Sequence, residues 1–314
     1  MNNVELTFQR PDTTDATQTK YSFKLKSPSG YRFDSVYIVH HIERNQRKLN
    51  IEGSLYVGNP KTGDLTEACV TISVTYPESN EEYERKYNIK SPSDPAVANL
   101  ILTKHYFKCA DNKDLLQGDG TVEMLKTSMS FIKQMCPFVK EFDLKDSSSK
   151  VCDNRTPITL PYFYITNKGK TWYESRFAAY LKPQALYDEY SQAIRNYTVN
   201  PLEEFGIFRI RYLKKTPPEV VESLRELYVK SNTMGDFTDK LYRKYGAKLV
   251  CIILQSWIDE YMRSIKMDKY IMHQHWYIDA NTIPAYSFTN NTKSLTTTKQ
   301  NTRKRTIWNN TNKK

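Results

Sequence analysis

Apolar and polar positions alternate with a period of two from residue 20 to about residue 90. Tyr21, Phe23 and Leu25 are separated by polar neighbours, and the segment Val36 to Ile42 is rich in β-formers. Leu49, Ile51, Leu55 and Val57 follow across a turn around Asn45 and Gln46, and Val70, Ile72 and Val74 alternate again. This pattern predicts an antiparallel meander with one buried face. Asn59-Pro60-Lys61-Thr62-Gly63 is a turn within it, and Ser91-Pro92-Ser93-Asp94-Pro95 closes it.

Leu100 to Cys109 reads as a further strand, after which the period changes. Val122, Leu125, Met129 and Ile132 form one stripe at helical spacing, with Thr121 placed as N-cap and Pro137 as the stop. Val139 to Leu144 reads as a strand, Asp146 to Pro157 as a polar loop, Ile158 to Thr166 as a strand, and a helix begins near Thr171. From Pro183 the pattern is mostly helical: Leu186, Tyr190, Ala193 and Tyr197 share a face, and Val220, Leu224 and Leu227 mark a helix entered through Pro217-Pro218. Phe205 to Tyr212 reads as a short strand. Phe237, Leu241 and Tyr245 mark a helix ended by Gly246, and Ala247 to about Ile265 is a long helix.

The expected fold class is therefore α+β, a mostly antiparallel or mixed sheet with a strand–loop–helix unit, followed by a helical C-terminal part. The expected divisions are a flexible N-terminus over 1–19, a sheet-containing domain over 20–181, a mainly helical domain over 182–284 and a disordered basic tail over 285–314.

Charge sharpens the reading of the tail. The chain of 314 residues carries a formal net charge of +11, and Lys293, Lys299, Arg303, Lys304, Arg305, Lys313 and Lys314 supply seven of those charges beyond Asp279, the last acidic residue. Such a tail suits nucleic acid or another polyanion through residues 293–314, and Thr302-Arg303-Lys304-Arg305 near Trp308 also fits a nuclear-import signal or a solvated tail. The five cysteines are widely spaced with no CxxC pair, so reduced thiols are expected, with neither a zinc knuckle nor a disulfide framework. The N-terminus has no apolar signal core, and the most apolar run, Leu249 to Ile258, is too short to span a bilayer. No membrane contact is expected.

Chemistry is suggested at Gln117-Gly118-Asp119-Gly120-Thr121, where two glycines precede a helix. Small residues at a helix mouth let backbone N–H groups approach a phosphate, and equally supply the positive φ that a strand-to-helix turn needs. Both readings stand at this point. His273-x-His275 lacks a third ligand, so no metal is expected; His40-His41 points to opposite strand faces; Asp143 and Asp146 flank a strand end, as ligand-binding or loop-capping residues.

The loop Leu115-Leu116-Gln117-Gly118-Asp119-Gly120 resembles the Gln/Arg-x-x-Gly-x-Gly/Ala cofactor loop of the GNAT acyl-CoA N-acyltransferases, with Leu115 at the position of Gln or Arg. Trp172-Tyr173-Glu174-Ser175-Arg176-Phe177 is similar to that family's later Leu-Tyr-Glu-x-x-Gly-Phe run, shortened and without its glycine. The resemblance implies acetyl-CoA across residues 117–121 and Tyr173 as the catalytic acid. Read from packing alone, Trp172 and Tyr173 are an aromatic anchor of helix on sheet. Across roughly residues 100–262, the order of Gly118-x-Gly120-Thr121, Gly169-Lys170-Thr171-Trp172-Tyr173-Glu174 and Leu227-Tyr228-x-Lys230-Ser231-Asn232-Thr233 resembles an uncharacterised family of giant nucleocytoplasmic large DNA viruses. That resemblance implies a viral protein of the host cytoplasm, virion or nucleus. Two functions compete: a GNAT-like acyltransferase, active or degenerate, and a non-enzymatic virion or DNA-packaging accessory that contacts nucleic acid or other virion proteins.

Overall fold

The computed structural model describes residues 3–6, 17–44, 47–58, 65–77, 94–103, 107–116, 118–146, 148–152, 157–272 and 274–290. After β1 (Asn3–Leu6), the period-two segments become strands β2 (Gln18–Lys26), β3 (Arg32–Arg44), β4 (Arg47–Val57) and β5 (Val70–Thr75), and β6 (Val97–Leu102) ends short of the expected Cys109. Strands β2 to β6 form the expected antiparallel meander. Helix α1 (Asp119–Met135) then crosses over to β7 (Glu141–Lys145), which lies parallel to β6. The fold is α+β around a mixed sheet.

Burial explains why the alternation is strict. Phe23, Leu25, Phe33, Tyr37, Leu55, Val57, Val70, Ile72, Ala98, Leu100, Phe142 and Leu144 are buried, and the register lines them up on one face. A slip of one residue would turn this whole set into water. Helix α1 covers that face, with Phe131 stacked on Phe23 at 4.8 Å and edge-on to Tyr37 at 6.0 Å. Its apolar stripe is buried at Met124, Leu125, Met129 and Ile132.

The expected strand Ile158 to Thr166 is mostly helical. After β8 (Ser149–Val151), β9 (Pro157–Thr159) is only three residues long, and α2 (Leu160–Lys168) follows with Pro161 in its first turn. An apolar run this short fits either period, and proline with its preset φ favours the helix start. Helix α3 (Trp172–Phe177) begins at a full capping box, in which Glu174 N–H donates to Thr171 Oγ1 (3.2 Å) and Thr171 N–H to Glu174 Oε2 (2.8 Å).

After β10 (Tyr180–Leu181) come α4 (Gln184–Val199), α5 (Phe205–Tyr212), α6 (Pro218–Val229), α7 (Met234–Gln255), α8 (Ile258–Ser264) and α9 (Asp268–Ile271). Phe205 to Tyr212, expected as a strand, is thus a helix, because Phe208 and Tyr212 are buried four residues apart while Ile207 and Ile210 are exposed. Gly246 (φ 70°) breaks α7 where a helix end was expected, and Trp257 interrupts the long helix that was to run to Ile265.

The chain then returns to the sheet as β11 (His275–Asp279), which inserts between β7 and β10, antiparallel to both. The sheet order is β10-β11-β7-β6-β5-β4-β3-β2-β1-β12, where β12 (Ser287–Asn290) pairs parallel with β1. Residues 275–290, expected with the helices and the tail, are therefore partly strands, as is Asn3–Leu6 in the expected flexible N-terminus. The basic residues 293–314 lie outside the described residues.

The expectation of reduced cysteines is corrected. Cys69 is bonded to Cys109 and Cys152 to Cys251, with Cα separations of 6.0 and 5.6 Å, and buried Cys136 is free. These partners are 40 and 99 residues apart in sequence, so only the folded path of the chain reveals them.

Candidate functional site

The mouth of α1 is where the sequence places its chemistry. The segment leading to it, residues 107–116, is tied on one side by the Cys69–Cys109 disulfide. On the other side it is stitched to the β2–β3 turn. Asp111 N–H donates to Arg32 O (2.8 Å), Arg32 N–H to Asn112 Oδ1 (2.9 Å), Lys113 Nζ to Ser29 O (2.8 Å) and Leu116 N–H to Tyr31 Oη (3.2 Å). From the helix itself, Glu123 accepts both the N–H (2.7 Å) and the hydroxyl (2.6 Å) of Ser29.

Gly118 stands at the N-cap with φ 84°, and a Cβ there would meet nothing within 4 Å. Its need for glycine is conformational. Thr121, expected as the cap, is instead buried inside the first turn. At Gly120 the N–H is spent on Leu116 O at 3.0 Å. A Cβ on Gly120 would lie 3.0 Å from Leu115 Cγ and 3.3 Å from Tyr31 Oη, so the space above this glycine is filled by the protein's own side chains. Leu115, which stands where the resembled loop has Gln or Arg, is the residue that fills it. Gln117 lies outside the described residues.

Asp119 points outward and pairs with Arg176 of α3 at 3.2 Å, both side chains well exposed. The two sequence motifs therefore meet in space, through a pairing the sequence did not announce. The Asp119 carboxylate sits in the first turn of α1, where the helix dipole favours negative charge. An anion arriving here would compete with Asp119 for Arg176.

Tyr173 is 5% exposed and packs between Trp172 (ring centroids 4.8 Å) and Phe177 (6.2 Å). Burial, with a lesser contribution from the Asp146 carboxyl, pushes its phenol far above the usual range. Such a phenol holds its proton firmly. Glu174 is occupied by the capping box and by the hydroxyls of Tyr187 (3.3 Å) and Tyr190. The left-handed residue that ends α3 is Ala178 (φ 52°), one position beyond Phe177, in a conformation that glycine ordinarily serves.

The flanking carboxylates separate. Asp143 lies on the sheet face turned from α1 and receives His275 Nδ1 at 2.8 Å, near the surface. Asp146 is buried, caps the following turn by accepting the N–H (3.1 Å) and hydroxyl (2.5 Å) of Ser148 at Oδ1, and has no hydrogen-bond partner at Oδ2. Burial holds its carboxyl above the usual carboxylate range. His41 Nε2 meets Thr19 Oγ1 at 2.7 Å, and His273 lies outside the described residues. Among the described residues no group of three or more His, Cys, Asp or Glu side chains is placed to hold a metal ion, and no helix is long and apolar enough to cross a membrane.

A concavity, which the sequence did not signal, lies among α4, α5, α6, α7 and α8. It has a volume of about 380 Å³ and an aromatic wall. Compared with known proteins, the sequence matches no protein-family model and no curated protein.

Proposed function

We propose that this chain is a degenerate relative of the GNAT acyl-CoA N-acyltransferases that keeps the scaffold and works as a binding protein. The β6–α1–β7 parallel crossover inside an otherwise antiparallel neighbourhood, followed by β10 and β11 with β11 inserted beside β7, supports the scaffold half of this reading. The carrying observation for the other half is at Gly120: its amide is bonded within the chain, and Leu115 occupies the approach a diphosphate would use. Tyr173, the residue in the position of the acid, is a packing residue in the same core. Cofactor binding would require both to rearrange.

One observation favours the alternative of a working transferase. Strands β6 and β7 pair only at Val97–Glu141, Ala98–Phe142 and Asn99–Asp143, although both continue beyond, so their far ends part. Two disulfides fit an oxidising location such as a virion better than a reducing host cytoplasm. The basic segment 293–314 supplies charge for nucleic acid or an acidic virion protein.

Calorimetric titration of the full chain with acetyl-CoA tests the proposal. We expect no saturable heat with ligand at about 1 mM, where any affinity beyond about 4 kcal/mol would register. Saturable binding that Gly118→Val abolishes would overturn it in favour of the transferase.

A further inference from the structure

We infer that helix α5 and the turn after it form a contact surface for a lipid bilayer that carries anionic headgroups. The contact is with the surface of the bilayer, since among the described residues no helix is long and apolar enough to cross it. The inference is independent of whether the mouth of α1 is open.

Helix α5 is anchored to the core from one side. Phe208 and Tyr212 are buried, with Phe208 stacked on Tyr228 at 4.6 Å and Tyr212 edge-on to Tyr261 at 5.3 Å. At roughly 100° per residue, Ile210 lies about 160° round the helix from each of them, at the crest of the outward side. It is 71% exposed, more than any other large apolar side chain among the described residues, and Ile207, one turn back, is 41% exposed. A strand over this segment would have set Ile210 on one face with Phe208, which is why the linear reading expects no membrane contact.

Cations flank this crest. Arg209 and Arg211 stand roughly 100° to either side of Ile210, and Lys214 and Lys215 follow in the turn, all four exposed. Leu213 and Thr216 are buried around the two lysines, and Thr216 Oγ1 meets Ser256 Oγ at 2.8 Å, which fixes the turn with both lysines outward. Residues 205–218 contain these four cations and no acidic residue. Glu204 is at the N-cap, and Glu203 pairs with Arg211 at 3.0 Å and partly neutralises it. Arg209, Lys214 and Lys215 have no ion-pair partner among the described residues.

The combination selects the partner. At an anionic bilayer the isoleucines leave water at the boundary of headgroups and acyl chains while the cations meet headgroup phosphates and carboxylates. A purely polar polyanion would answer the cations and leave Ile210 in water. Eight residues are too few for a free amphipathic helix, but α5 is already folded on the core, so little ordering entropy opposes the contact.

Co-sedimentation of the full chain with phosphatidylcholine vesicles containing about 30% phosphatidylserine, and with phosphatidylcholine vesicles alone, at about 0.1 M NaCl tests the inference. We expect binding to the anionic vesicles at least about tenfold above the neutral ones. Ile207→Gln with Ile210→Gln should lose about tenfold on the anionic vesicles, and Arg209→Gln with Lys214→Gln about 30-fold. Ile101→Thr, at a position 52% exposed on β6, should change nothing. The basic tail is present in every arm, so a loss in the isoleucine variant reports on α5. Isoleucine variants that bind like the unaltered chain would reduce the face to a general polyanion surface and overturn the assignment. Equal binding to the two vesicles, or binding to neither, would also overturn it. So would a dimer, seen by sedimentation without vesicles, that the isoleucine variant dissociates, because a second copy would then be the occupant. Should the double isoleucine variant fail to fold by circular dichroism, Ile210→Gln alone is read, with about a fivefold loss expected.

Discussion

Gly118 and Gly120 look alike in the sequence, yet the structure uses them for different reasons. Gly118 has an open surrounding and a positive φ, whereas Gly120 has a helical backbone and no room, with Leu115 against it. A glycine motif records that small residues are needed and does not record which neighbour occupies the space. Tyr173 teaches the same lesson: its spacing fits a catalytic phenol and an aromatic anchor, and neither reading records that it lies buried between Trp172 and Phe177. Asp146, flagged in the sequence only as flanking a strand end, carries a pH prediction. Its folded carboxyl titrates above its unfolded value, so the folded state binds the extra proton. The stability it contributes is full below about pH 4, the unfolded value, and is lost as pH rises through the raised folded value. In Asp146→Asn, urea denaturation across the acid range should lack that decline relative to the unaltered chain. Parallel profiles for the two proteins would show that Asp146 titrates normally.

At the scale of elements, the long periodic segments were legible. The β2–β6 meander and α1 stand where alternation and the Val122–Ile132 stripe place them. The segments misread were Ile158 to Thr166 and Phe205 to Tyr212, each a short run of apolar residues whose period is ambiguous over two turns of helix. Tertiary packing settled them, α2 against α7 and Phe208 under Tyr228 and Trp257. Packing of helix on helix also makes a prediction that helix propensity reverses. A Cβ on Gly235, in the first turn of α7, would lie 2.9 Å from Thr198 O and 3.0 Å from Thr198 Cα of α4. Gly235→Ala should therefore cost about 1–3 kcal/mol by overpacking. Gly206→Ala, whose Cβ meets only the Glu204 side chain at 3.4 Å, should instead gain up to about 1 kcal/mol from propensity. Equal gains at both sites by urea denaturation would place α4 and α7 further apart than the structure does.

At the scale of the whole molecule, the sequence suggested a sheet part followed by a helical part, because local period is all that a linear reading registers. The strand β11 closes the helical excursion by returning beside β7, a long-range pairing that five residues cannot announce. The aromatic cavity and both disulfides are likewise products of the path, assembled from residues that are unremarkable in line. The account as a whole turns on Gly120 at the mouth of α1, whose amide is bonded to Leu116 O and whose approach Leu115 fills, behind the disulfide-tethered segment. Amide hydrogen exchange at Gly120, followed by NMR with and without about 1 mM acetyl-CoA, measures that closure directly. The account predicts a Gly120 amide already protected in the free protein and unchanged by the ligand. A Gly120 amide that exchanges freely and becomes protected only when acetyl-CoA is added would contradict it.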